Sequence, residues 1–196
     1  MPVCIFLALI SVAFADSHKA VGPAKEDFRN DHAVKEDVLG NLSCSSVSSP
    51  DLKNSTIKKI KFVDGKACTS EDLESPDRCD WKHQISMDEI LSPVFGKQVR
   101  LAVINSSHMT GSGAWDTVLV FDCLKGHMKT IFKAQYLYGV RIGRKTDDEL
   151  IFTFGEWQLK DPMCCPSKEK RDVYRWNSGE NTFVLHSATT FKSEPK

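Results

Sequence analysis

Between Gln98 and His186, apolar and polar positions alternate in short runs, and each run ends at a turn signal. Leu101-Ala102-Val103-Ile104 reads as a strand. Thr117-Val118-Leu119-Val120-Phe121 is apolar on both faces, which predicts a central strand covered on both sides. Leu124-Lys125-Gly126-His127 is a hairpin turn, after which Met128, Thr130 and Phe132 alternate with Lys129, Ile131 and Lys133. Tyr136, Tyr138, Val140 and Ile142 are expected to share a face. Arg144 to Asp148 turns the chain, and Leu150, Phe152 and Phe154 share a face of a strand running to Trp157. Asp172 to Trp176 and Phe183 to Leu185 flank a turn at Asn177–Asn181. Short strands with turns every 8–12 residues or about that predict a mainly β fold. The expected architecture is one antiparallel, meander or sandwich-like domain with one or two short helices.

Upstream the pattern is weaker. Residues 16–56 form a polar N-terminal segment, partly loop, and residues 57–196 the β domain. Lys25 to Leu39 predicts a short helix stopped by Gly40. Lys58 to Asp64 predicts a strand that turns at Gly65. Ser86-Met87-Asp88-Glu89 has the Ser-x-x-Glu form of a capping box and is followed by Ile90-Leu91 and Pro93, which predicts a helix of one or two turns.

The first residues change the compartment. An apolar run from Val3 to Phe14 closes on Ala13-x-Ala15, the small-residue pattern of a signal peptide cleaved after Ala15. It is too short for a membrane span, which needs about 20 apolar residues. A secreted or periplasmic product follows, with Cys44, Cys68, Cys79, Cys123, Cys164 and Cys165 left in the mature chain. An even set of cysteines in an exported chain reads as a disulfide framework. The expected pairs are a local Cys68–Cys79 clip and Cys123 to one of Cys164 and Cys165, with Cys44 reaching the other.

Twenty-six basic and 26 acidic residues cancel, so the chain has no built-in attraction to nucleic acid or to an anionic membrane. Cys123, His127, Cys164 and Cys165 have ligand types that suit zinc, but no Cys-x-x-Cys or His-x-x-x-His spacing organises them. Disulfides are the favoured reading, and no metal or cofactor is expected. His83, His108, His127 and the Asp147-Asp148-Glu149 cluster lack a nucleophile elbow of the Gly-x-Ser-x-Gly kind. No catalytic residue is assigned. Aromatic residues are the better argument for binding: Trp115 and Trp157 fall at strand ends, where exposed rings would form a shallow site for sugar or peptide.

Asp161-Pro162-Met163-Cys164-Cys165-Pro166-Ser167 is the most specific motif in the chain. Prolines on both sides fix φ and remove donors, so the motif is a rigid loop. It follows Gly111-Ser112-Gly113-Ala114-Trp115-Asp116-Thr117-Val118-Leu119-Val120 and Cys123, and precedes Tyr174-Arg175-Trp176. In that order these segments resemble the LppP/LprE family of bacterial exported proteins and lipoproteins. The resemblance spans about residues 98–186. It implies an exported envelope protein without an assigned reaction, and it brings no catalytic residues. Two departures limit it. The lipid-attachment motif is absent, and Ser112 stands where an Asp would make the glycine turn resemble a calcium loop.

Together these features describe an exported, non-catalytic β module of the bacterial envelope that binds a protein or glycan partner. The competing reading is a thiol–disulfide or hydrolytic enzyme that uses the Cys164-Cys165 loop or nearby His and Asp residues.

Overall fold

The computed structural model describes residues 42–71, 78–109, 113–162 and 165–193. The expected signal peptide, the helix expected at Lys25–Leu39, residues 110–112 and Cys164 lie outside the described residues. After a single 3-10 turn (Leu52–Asn54), the strands are β1 (Thr56–Ile57), β2 (Ile60–Lys61), β3 (Lys66–Thr69), β4 (Trp81–Val94), β5 (Lys97–His108), β6 (Ala114–Leu124), β7 (His127–Gly143), β8 (Glu149–Glu156), β9 (Lys168–Asn177) and β10 (Thr182–Lys192). β1 and β2 form a small hairpin, and β3 to β10 form one antiparallel sheet in sequence order. The mainly β, antiparallel expectation holds.

The long strand β7 bends the sheet. Its first part pairs with β6, down to Asp116↔Leu137, and its last part pairs with β8, from Tyr138↔Gly155 onward. On either side of this changeover Tyr136 and Gly139 take positive φ of 57° and 60°. Such bulges let one strand pass from one sheet layer to the next. The expected common face for Tyr136, Tyr138, Val140 and Ile142 is therefore broken. Tyr136 is 63% exposed, and Leu137 turns inward instead. Alternation predicts a face only while the pleat is regular.

The bend folds the sheet over its inner face. Val103, Val120, Phe132, Leu137, Phe152, Tyr174 and Phe183, from β5 to β10, share one core. Phe132 meets Phe152, Tyr174 and Phe183 edge-to-face at 5.9, 5.0 and 6.3 Å. These rings fill the space between the layers in the geometry that aromatic quadrupoles favour. At one end the Thr182 hydroxyl donates to the Ile131 carbonyl, which fixes β10 against β7.

β5 and β6 are buried on their other face too, as their unbroken apolar runs require. Ala102, Ile104, Leu119 and Phe121 lie under Leu52, Ile57 and Phe62 of the preceding segment. Arg100 pins that segment. Its guanidinium donates to both Asp88 oxygens at 2.6 Å and to the Pro50 and Val47 carbonyls at 2.5 and 3.3 Å.

Two local expectations change. Ser86–Leu91 is strand, inside β4, and not helix. Ile85 belongs to the outer core, while Met87 and Leu91 belong to the inner one, a switch made by the register shift between Ile85 and Met87. With both cores drawing on this run, burial outweighs the capping pattern. Pro93 is tolerated because β3 pairs only with Trp81–Gln84, which leaves this part of β4 an edge. Lys58 and Lys59, at φ 50° and 66°, break the predicted 58–64 strand into the β1–β2 hairpin. Among the described residues only the 3-10 turn is helical, so the one short helix expected there is replaced by strand.

Cys68–Cys79 forms the local clip that was expected, with Cα atoms 5.4 Å apart. Cys44 pairs with Cys123, not with the double-cysteine loop, at a Cα separation of 6.0 Å. The correction has a backbone cause. Cys44 N–H donates to the Gly126 carbonyl and Met128 N–H to the Leu42 carbonyl, so residues 42–44 run beside the β6–β7 hairpin and bring Cys44 to Cys123. Cys165 is also disulfide-bonded, and its partner lies outside the described residues. This chemistry fits an oxidising compartment.

Candidate functional site: an aromatic row beside the double-cysteine loop

Trp115 and Trp157 are far apart in sequence, and the sheet brings them to either side of Tyr138. β6, β7 and β8 are consecutive neighbours. Asp116 pairs with Leu137, so Trp115 and Tyr138 are the next residues along the two strands. Their rings meet edge-to-face at 6.2 Å. On the far side Tyr138 pairs with Gly155, and Trp157 lies two residues further along that face, with its ring 5.4 Å from Tyr138. Diagonal neighbours in a sheet lie within reach of large aromatic side chains. All three rings are half-buried.

Asp116 sets this geometry from beneath. The β7 bulges withdraw the Val140 amide from the regular ladder, and the Asp116 carboxylate accepts it at 2.8 Å. Asn105 donates to the other oxygen at 3.0 Å. Asp116 itself is 6% exposed. This role was missed from sequence, because nothing local marks the amide it serves.

The loop after β8 borders the row. Asp161 accepts from the Gln158 and Ser167 amides at 2.7 and 2.8 Å and so ties the loop's two ends together. The hydrogen bonds from Ser167 hold its carboxyl below the ordinary value, aided by the Gln158 amide and the Lys168 charge. Pro166 lies over Gly155, where a Cβ would collide with the proline ring and come within 3.0 Å of Tyr138. Gly155 is thus required for close approach rather than for a left-handed backbone. The Trp157 indole N–H is enclosed and has no hydrogen-bond partner among the described residues. An unpaired buried donor costs about 1–3 kcal/mol.

The other candidate groups do not assemble. Cys123 is committed to Cys44, and His127 opens β7 at the exposed hairpin. No group of three or more metal-ligating side chains occurs among the described residues. Asp116 and Asp122, six residues apart on β6, are about 20 Å apart along the strand and cannot share a cation. Glu149 is buried against Arg175 at 2.7 Å, which separates it in role from Asp147 and Asp148 in the turn. His83 lies between two hydroxyls, 3.0 Å from Thr69 and 2.8 Å from Ser106. Burial lowers its pKa. The imidazole links β3, β4 and β5, and its ring nitrogens meet hydroxyls rather than a carboxylate that would orient it as a base.

No helix among the described residues is long and apolar enough to cross a membrane. Comparison with protein-family models, with curated proteins and with solved structures returns no match for this chain.

Proposed function

We propose that this protein is an exported, non-catalytic binding module that holds a glycan on the Trp115–Tyr138–Trp157 row. The carrying observation is the continuity of the row across three neighbouring strands, with half-buried rings that belong to neither core cluster. A pyranose ring presents a face of C–H bonds between its hydroxyls. A half-buried aromatic ring covers that face without taking the hydroxyls out of water. Tyr and Trp suit such work because one part of the ring system is apolar and the other can hydrogen-bond.

The disulfides support an oxidising location. The leader-like first 15 residues and the likeness of the motifs to LppP/LprE proteins support reading that location as the periplasm or exterior of a bacterial cell. The double-cysteine loop, on this reading, is a brace for the row, because Pro166 lies against Gly155 and Tyr138 lines the same position.

Binding of a panel of envelope oligosaccharides to the full chain and to W115A and W157A tests the proposal. A saturable ligand whose affinity falls about tenfold or more in both variants supports it. A ligand bound equally well by all three proteins, or no ligand in the panel, counts against it.

A further inference from the structure

The two ends of the large sheet are built differently. At one end β3 covers only Trp81–Gln84, so the rest of β4 is an edge. That edge carries guards against pairing with another chain. Asp88 and Glu89 place charge on it, and Pro93 removes a backbone donor. Register shifts bend it between Ile85 and Met87 and again between Leu91 and Val94. Arg144 also reaches Glu89 from beyond β7, at 3.4 Å.

β10 is the other end, and among the described residues it pairs with β9 alone. From Phe183 to Phe191 it holds no proline and no Asp, Glu, Lys or Arg. A register shift between Leu185 and Ser187 is followed by an unbroken run from Ser187↔Val173 to Lys192↔Lys168. His186, Ser187, Ala188, Thr189 and Thr190 are all exposed. Successive strand residues point to opposite faces, so no described residue covers this stretch from either side.

We infer that β10 is a self-association edge, on which a second copy of this chain lays its own β10 antiparallel about a two-fold axis. An open row of backbone donors and acceptors is a template for another strand. Symmetry and charge select the second copy. Residues opposed in an antiparallel pair turn their backbone groups toward or away from each other together, so the axis falls on a residue rather than between two. With the axis at Thr189, that residue faces its own copy, Ala188 faces Thr190, and Ser187 faces Phe191. Thr–Thr pairs are favourable across strands, and no two formal charges are opposed in this run. Lys170 and Arg171 pair with Thr190 and Thr189 from β9, one strand further in. Like positions on two copies of β9 are then about 14 Å apart in backbone spacing, beyond a screening length of about 8 Å. Pairing confined to one strand buries less than a standard interface, so the expected dimer is transient, with Kd of about 10–100 μM.

Sedimentation equilibrium of the full chain tests this, together with amide exchange. The chain should show a monomer–dimer equilibrium, and amide protection between Ser187 and Phe191 should rise with protein concentration. T189K sets two like charges on the axis and should weaken the dimer at least about tenfold, as should T189E. Mixing T189K with T189E should restore pairing as a heterodimer. E180K changes charge in the turn before β10, away from the edge, and should leave the dimer intact. Thr189 is exposed, so its variants should fold, and unchanged circular dichroism confirms it. A monomer at millimolar concentration, a dimer indifferent to T189K, or no recovery on mixing would overturn the inference. So would edge protection that does not depend on concentration, which would mark another occupant. None of these results bears on glycan binding at the row.

Discussion

The Asp116 carboxylate accepts the Val140 amide at 2.8 Å across the break in β7. One side chain thereby completes a ladder that two bulges interrupt, and it does so one residue from Trp115 and two from Tyr138 in the paired strands. Loss of that acceptor leaves a backbone donor unpaired. D116A should cost about 1–3 kcal/mol. D116N keeps an acceptor oxygen and should cost less. Urea denaturation followed by circular dichroism measures both.

Arg100 and Asp88 form a bidentate pair with side chains only 10% and 16% exposed. Removing one member of such a pair strands the other, at about 3–5 kcal/mol. R100A should therefore destabilise strongly. It should also raise protease sensitivity near Val47–Pro50, whose carbonyls lose their donor. Limited proteolysis with mass spectrometry reads the second effect. Cleavage unchanged from the parent would contradict the assigned role.

How much of this was legible beforehand divides along physical lines. The strands around Val120 and Phe152 were readable, because regular alternation and apolar runs report burial directly. The β6–β7 turn was readable too, since Lys125 and Gly126, at φ 52° and 82°, need residues that accept a left-handed backbone. The fate of Ser86–Leu91 was not. Its local cap signal competes with core contacts that only the finished sheet supplies. Trp115 and Trp157 could be named as surface aromatics and Tyr138 as a strand aromatic, but not that Tyr138 joins the two. Tyr138 reaches the row only because the bulges at Tyr136 and Gly139 reset the pleat. Arg100 and Asp116 gave no signal, as their partners lie far away in sequence. The Cys44–Cys123 pairing was hidden for the same reason.

Disulfide mapping checks the corrected framework. Non-reducing digestion should yield linked peptides for Cys44–Cys123 and Cys68–Cys79. Replacing both Cys44 and Cys123 by serine should cost about 2–5 kcal/mol. A Cys44 peptide linked to Cys164 or Cys165 would contradict the backbone pairing of residues 42–44 with the β6–β7 hairpin.

Asp161 makes the loop acid-sensitive, and the sign follows from the direction of its shift. Its pKa in the folded chain lies below the ordinary carboxylate value of 3.8, chiefly through Ser167. The stabilisation is complete above about pH 3.8 and is lost as pH falls through the lower folded value. Protection of the Ser167 and Gln158 amides, taken relative to their intrinsic exchange rates, should therefore hold down to about pH 4 and fall below it. D161N should show weaker protection at neutral pH and lose the acid step.

The central claim concerns the aromatic row, and the four tryptophans allow a direct reading. In a ¹⁵N correlation spectrum each indole N–H of Trp81, Trp115, Trp157 and Trp176 gives its own signal. On titration with the best oligosaccharide of the panel, the Trp115 and Trp157 signals should move together and fit one dissociation constant. Those of Trp81 and Trp176 should stay in place. Movement confined to Trp81 or Trp176, or separate constants for Trp115 and Trp157, would contradict a single binding face built across β6, β7 and β8.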